Sequence, residues 1–284
     1  MLSYWYDWQG KDEDARRAGQ RGLDVAPSLD HPDTAGCWFE FSGATAAVAA
    51  QSPEAVAAFR HHVAATADTS DLDWFTLVCL TDASLHCDPT AAPALRRKLR
   101  DIASRVQSPR LTMFVHQYDG HALVLETSPP DFTAALHAYE RFADIARATS
   151  DVHNLGIARR CLAMAATGLR DPDALTRCSD ALETLFEIRH WQKIWQVLES
   201  TTLALAMAGR TEHAAVILGQ LDAHSSGFGI EHGLNFRVLA RELVDADGDH
   251  NARPGAQMST DELLVAALDF CAAGSITDEG KVVQ

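Results

Sequence analysis

The chain is poor in most of the features that mark secreted, membrane and catalytic proteins. Aromatic residues make up only 7% of it. No run of about 18 uninterrupted apolar residues occurs, which excludes a membrane-spanning helix. The segment from Met1 to Asp7 has neither a basic n-region nor an apolar h-region, so it does not read as a signal peptide. The six cysteines, at 37, 79, 87, 161, 178 and 271, include no CxxC pair. Most stand at apolar positions of helical patterns, where a free cysteine behaves as a small hydrophobe. A disulfide framework is therefore not expected, and a reducing, cytoplasmic setting is. Positive charge is scarce as well: 24 Lys and Arg stand against 39 Asp and Glu, for a net charge of −15. Phosphate contacts need a basic surface, so direct nucleic-acid binding is disfavoured. The short cluster Arg96, Arg97, Lys98 and Arg100 reads as the solvated face of a helix.

Chemical motifs are equally thin. There is no GxSxG elbow and no HExxH. The stretch from Gly274 to Val282 misses a phosphate loop: its spacer holds five residues, Val282 replaces the magnesium-binding hydroxyl, and no strand precedes it. His61 with His62, His116 with His121, and His86 beside Cys87 lack a second half at zinc-site spacing. Asp12, Glu13 and Asp14 lie at a helix N-terminus, where the dipole favours carboxylates. Asp245, Asp247 and Asp249 are similar to the start of a calcium loop, but the twelfth position is Ala256 rather than glutamate. Trp191, Trp195, Leu198 and Thr202 follow a helical stripe and are expected in the core. We therefore expect no catalytic residue, no cofactor and no metal site, and hence no enzyme.

What is abundant is alanine, leucine and a repeated signal. A helix-starting residue recurs at Asp12, Ser52, Asp88, Ser128, Asp171 and Thr211, with gaps of 40, 36, 40, 43 and 40 residues. Pro53, Pro89, Pro129 and Pro172 follow four of them directly, as suits a first helical position. Ala15, Ala55, Ala91, Ala174 and Ala214 stand three residues on. Two antiparallel helices come closest beside their turn, and alanine there lets the backbones approach. Periods of this length mark solenoids of helix pairs. In the second unit the spacing predicts helices over Thr34–Ala50 and Pro53–Ala65. In the third it predicts one from about Asp71, a turn at His86–Asp88, and one over Pro89–Val106 with Leu95, Leu99, Ile102 and Val106 on its apolar face. The fourth unit turns at Thr127–Ser128 and continues through Phe132, Leu136, Tyr139, Phe142 and Ile145. The fifth turns at Arg170–Asp171 and the sixth at Gly209–Thr211.

The two ends depart from the repeat. A glycine-punctuated stretch after Leu221 leads to a predicted helix over Glu231–Val244, a polar loop over Asp245–Gln257, and a last helix opened by the capping box Ser259 and Glu262. At the other end Tyr4, Trp5, Tyr6 and Trp8 crowd into two turns before the first cap. Either further helices once preceded Met1, or these rings pack on Ala15, Ala18 and Leu23 as a short cap. Self-association through this aromatic face is a corollary of the first alternative.

The stretch from Trp191 to Gly219 (WQKIWQVLESTTLALAMAGRTEHAAVILG) resembles a late repeat in the C-terminal region of actinobacterial signal-transduction ATPase regulators, the LuxR-type and cyclase-linked proteins. The stretch from Gln257 to Leu268 (QMSTDELLVAAL) resembles the motif that closes that region. Gly209 through Ala214 matches the turn of a tetratricopeptide repeat, and in that register Gly43 takes the small position of the second unit. The resemblance implies a sensor or docking array. It carries over no enzymatic or DNA-binding residue, since the chain has no ATPase core, cyclase domain or helix-turn-helix.

The expectation is thus an all-α, TPR-like right-handed superhelix of about six helix pairs over residues 1–226, atypical capping helices over 227–273 and a flexible tail over 274–284. Its function would be non-catalytic docking of a protein partner, or of an upstream regulatory module, on a concave face lined by first helices. The alternative is a helical sensor of a small effector that controls a partner ATPase or DNA-binding module. No membrane partner is expected.

Overall fold

The computed structural model describes residues 74–87, 90–223, 234–247 and 258–272, together with Asp14, Arg17, Ala18 and Arg21. Every regular element among them is helical. The chain divides into two compact units at Pro130–Asp131. Trp5, Trp8, Gly43, both helices of the second predicted unit and the tail after Ala272 lie outside the described residues.

Unit 1 contributes α1 (Trp74–Cys87), α2 (Ala92–Val106) and α3 (Pro109–Leu125). Each packs on the other two. Leu77, Leu80, Leu95, Leu99, Leu111 and Tyr118 share one core. The Tyr118 hydroxyl donates to the Val78 carbonyl at 3.1 Å, which ties α3 to α1 without orphaning the buried phenol. On α2, Leu95 and Leu99 are buried as the spacing predicted, whereas Val106, at the last turn, is 63% exposed.

Unit 2 contributes α4 (Phe132–Ala148), α5 (Val152–Leu169), α6 (Ala174–Glu187), α7 (Trp191–Met207), α8 (Thr211–Ala223), α9 (Phe236–Asp247) and α10 (Thr260–Ala272). From α4 to α9 each helix packs on the next described one, and α5, α7 and α9 also succeed one another as neighbours. α10 breaks the sequence: it returns to α6 and touches α7 and α8. Leu182, Leu185, Ile194, Leu198 and Ile217 are fully or almost fully buried in the common core. Each such side chain contributes roughly 1.5–3 kcal/mol of burial.

The helix ends of unit 2 repeat one device. α4, α5, α6 and α7 each finish with a residue at positive φ: Ser150 (55°), Arg170 (56°), Arg189 (56°) and Gly209 (72°). The next amide in each case bonds five residues back, Asp151 to Ala146, Asp171 to Ala166, His190 to Leu185 and Arg210 to Leu205, all at 2.9 Å. This is the Schellman closure, which satisfies a carbonyl that the helix end leaves open. Small residues do sit where the pairs converge: Ala166, Ala174 and Ala204, from three successive helices, form a cluster of their own. Gly168 meets Phe132 still more closely, since a Cβ there would lie 2.5 Å from the ring.

Several helices start later than the sequence signal suggested. α4 is capped by Asp131, whose carboxylate accepts the Ala134 amide at 3.0 Å, rather than by Ser128. α6 begins at Ala174, and the Asp171 carboxylate accepts the Asp173 amide at 2.9 Å. The Ala174 amide bonds the Asp171 carbonyl, so Asp171-Pro172 opens a β-turn that feeds the helix. Asp followed by Pro suits the first two positions of such a turn as well as a cap. α8, where no proline follows, begins at Thr211 as read. α9 runs through Asp247, three residues past the predicted end.

Candidate functional site

Two polar places stand out, one in each unit. In unit 1, α2 and α3 flank an open groove of about 450 Å³ lined by Pro93, Arg96, Arg97, Arg100, Asp119, Ala122 and Leu123. The arginines share this side because positions 96, 97 and 100 lie within one helical turn of each other. Arg96 holds both carboxylate oxygens of Glu126, and Arg100 holds Asp119 at 2.6 Å. The groove thus has an apolar floor between guanidinium groups that already grip carboxylates. Planar, two-pronged donors of this kind suit carboxylates and phosphates.

In unit 2 the polar place is internal. α5 and α7 pack together with charged residues on both: Arg160 is 3% exposed and Glu199 is 4% exposed. Along the same seam the rings of His153 and His190 stack 5.3 Å apart. Burial first, then the positive neighbours Lys193, His153 and Arg160, push the His190 pKa down to about 2. His190 is therefore a neutral imidazole at any pH near neutrality, and it offers no proton switch there. Thr201 and Thr202 turn their hydroxyls back on the Val197 and Leu198 carbonyls, at 2.9 and 2.6 Å. All ten residues from Val197 to Ala206 are buried, so this stretch of a first helix presents nothing to a groove.

The chain was compared with family models, characterised proteins and solved structures. It matches none of them.

Trp195, Leu198 and Thr202 are core, and Trp191 stands edge-on to Phe186 at 6.0 Å. His121 is buried and edge-on to Tyr118 at 6.1 Å, and the described residues contain no group of three potential metal ligands. His61, His62 and the phosphate-loop near-miss lie outside the described residues, as do the side chains of His86 and Cys87. Asp14 pairs with Arg17 at 2.7 Å. Asp245 and Asp247 belong to α9, and the Asp247 carboxylate accepts the Thr211 hydroxyl, which is not the arrangement of a calcium loop. No described helix is long and apolar enough to cross a membrane.

The seam on α5 and α7 was missed. Its signal was available: Glu199 is the one charge between Ile194 and Met207, and a lone carboxylate in an apolar helical run asks for an internal partner.

Proposed function

We propose that the chain is a non-catalytic docking array of TPR-like helix pairs, serving as the sensor or docking arm of a signalling or transcriptional regulator. The observation that carries this reading is the packing order of unit 2. First helices α5, α7 and α9 neighbour one another, with α6 and α8 as their seconds, which is how helix-pair arrays grow. The resemblance of Trp191–Gly219 and Gln257–Leu268 to the C-terminal region of actinobacterial ATPase-linked regulators supports the regulatory part.

The test is capture of partners on the purified full chain, followed by cross-linking and mass spectrometry to map the contact. Reproducible cross-links from one partner to Lys193 and the carboxylates of α5–α9 support the array as the docking element. Cross-links confined to residues before Asp131, or no partner held above the background of an unrelated acidic protein, overturn it.

The arginine groove favours a second reading, an effector sensor for a small polyanion, because its volume falls within the range of small-molecule sites. Thermal shift with citrate and inorganic pyrophosphate separates the two. Stabilisation that Arg97→Ala abolishes supports the sensor; identical melting of both proteins with either anion dismisses it.

A further inference from the structure

Among the described residues, α9 carries a surface that no other helix of the unit covers. Its stripe Phe236, Ala240 and Val244 is buried against α7 and α8. Beside that stripe Leu239 and Leu243, one turn apart, are 44% and 39% exposed, and Val238 further round is 50% exposed. In a helix-pair array the next second helix would lie here, yet α10 packs back on α6 instead. The charges on this helix are sorted. Its two cations, Arg237 and Arg241, both reach Asp222 of α8, at 2.8 Å in the case of Arg237. Glu242 and Asp245 are exposed and lie on the same outer arc as Val238 and Leu239. That arc is thus apolar and acidic, with no cation on it.

We propose that the outer face of α9 docks an amphipathic basic helix of a partner protein. The partner would set apolar side chains at i and i+4 against Leu239 and Leu243, and place Lys or Arg opposite Glu242 and Asp245. This is recognition of one helix by another, in which the apolar stripe gives affinity and the charged rim gives orientation. A second copy of the chain fits poorly, since two such acidic arcs would repel. The proposal rests on the docking reading above and names both the surface and the class of partner.

The experiment uses the full chain and a labelled Leu/Lys amphipathic helical peptide, followed by fluorescence anisotropy. Saturable binding is expected, weakened at least about tenfold by Leu239→Ser with Leu243→Ser, with the melting temperature unchanged. Glu242→Lys with Asp245→Lys should weaken it too and flatten its salt dependence. The matched change on α4, Glu140→Lys with Asp144→Lys, should leave it intact. An equal loss in the α4 control overturns the proposal, because the attraction is then general to an acidic chain. So does unchanged binding in the leucine variant. A lowered melting temperature in that variant means the chain itself covers the face, and a dimer that it dissociates means a second copy does; both outcomes overturn it. If the captured partner is retained by the α9 variants while the peptide never binds, the docking reading stands and this surface falls.

Discussion

Gly209 lies at φ +72° with nothing within 4 Å of where a Cβ would point. Gly209→Ala therefore meets no clash and only the left-handed penalty, about 1 kcal/mol. Ser150 holds the equivalent place at φ 55° without glycine's freedom. Ser150→Gly should raise stability by about 0.5–1 kcal/mol, and urea unfolding of the two variants should show shifts of opposite sign. Gly168 is the contrary case, closed by contact rather than by conformation. A methyl there runs into the Phe132 ring, so Gly168→Ala should cost about 1–3 kcal/mol. His190 has a folded pKa below its ordinary value, so the unfolded chain takes up the proton first. Stability then falls as pH drops below about 6.5, where the unfolded imidazole charges, and the loss grows by about 1.4 kcal/mol per pH unit toward the folded value. Between about pH 7.5 and pH 5, unfolding of the wild type should lose about 2 kcal/mol more than that of His190→Asn.

At the scale of the helix, α10 depends on its first turn. The Ser259 amide donates to the Glu262 carboxylate at 2.8 Å, and the Glu262 amide to the Ser259 hydroxyl at 3.3 Å. The bonds from Ser259 hold the Glu262 carboxyl below the usual carboxylate range. Ser259→Ala should cost about 1 kcal/mol, read as faster hydrogen exchange along Thr260–Ala272 with α5 unchanged. This box was plain in the sequence because both partners are side chains at fixed spacing. The turn after α5 lies at Arg170–Asp171 as read, whereas the turn after α6 was not placed, and for a physical reason. The closure after α6 is made by backbone groups with Arg189 at the left-handed position, so no glycine announces it. Asp-Pro announced α6 two residues early because that dipeptide suits the turn as well as the cap. The polar seam of α5 and α7 needed the fold itself: Arg160 and Glu199 stand 39 residues apart, and only the packing of helices buries both.

At the scale of the molecule, the two larger cores among the described residues are separate in sequence. Leu77 to Tyr118 form one, and Ala163 to Cys271 the other. A fragment comprising residues 131–284 should therefore fold alone, with a helical circular dichroism spectrum and a cooperative transition. A non-cooperative melt of that fragment would mean that its core is completed from elsewhere. The alternation of long helices and the small residues at their junctions were visible from the start, since period and residue size are local properties. The unexposed length of α7 was not, because burial on every side comes from five helices, α5, α6, α8, α9 and α10, whose convergence no local pattern states.

The return of α10 to α6 has a consequence for the order of synthesis. Helices α4 to α9 can stack as they leave the ribosome, each on the one before. The side of α6 that holds Cys178 must wait for Cys271, four helices later, before it is covered. The growing chain therefore carries an open apolar seam until its closing segment arrives.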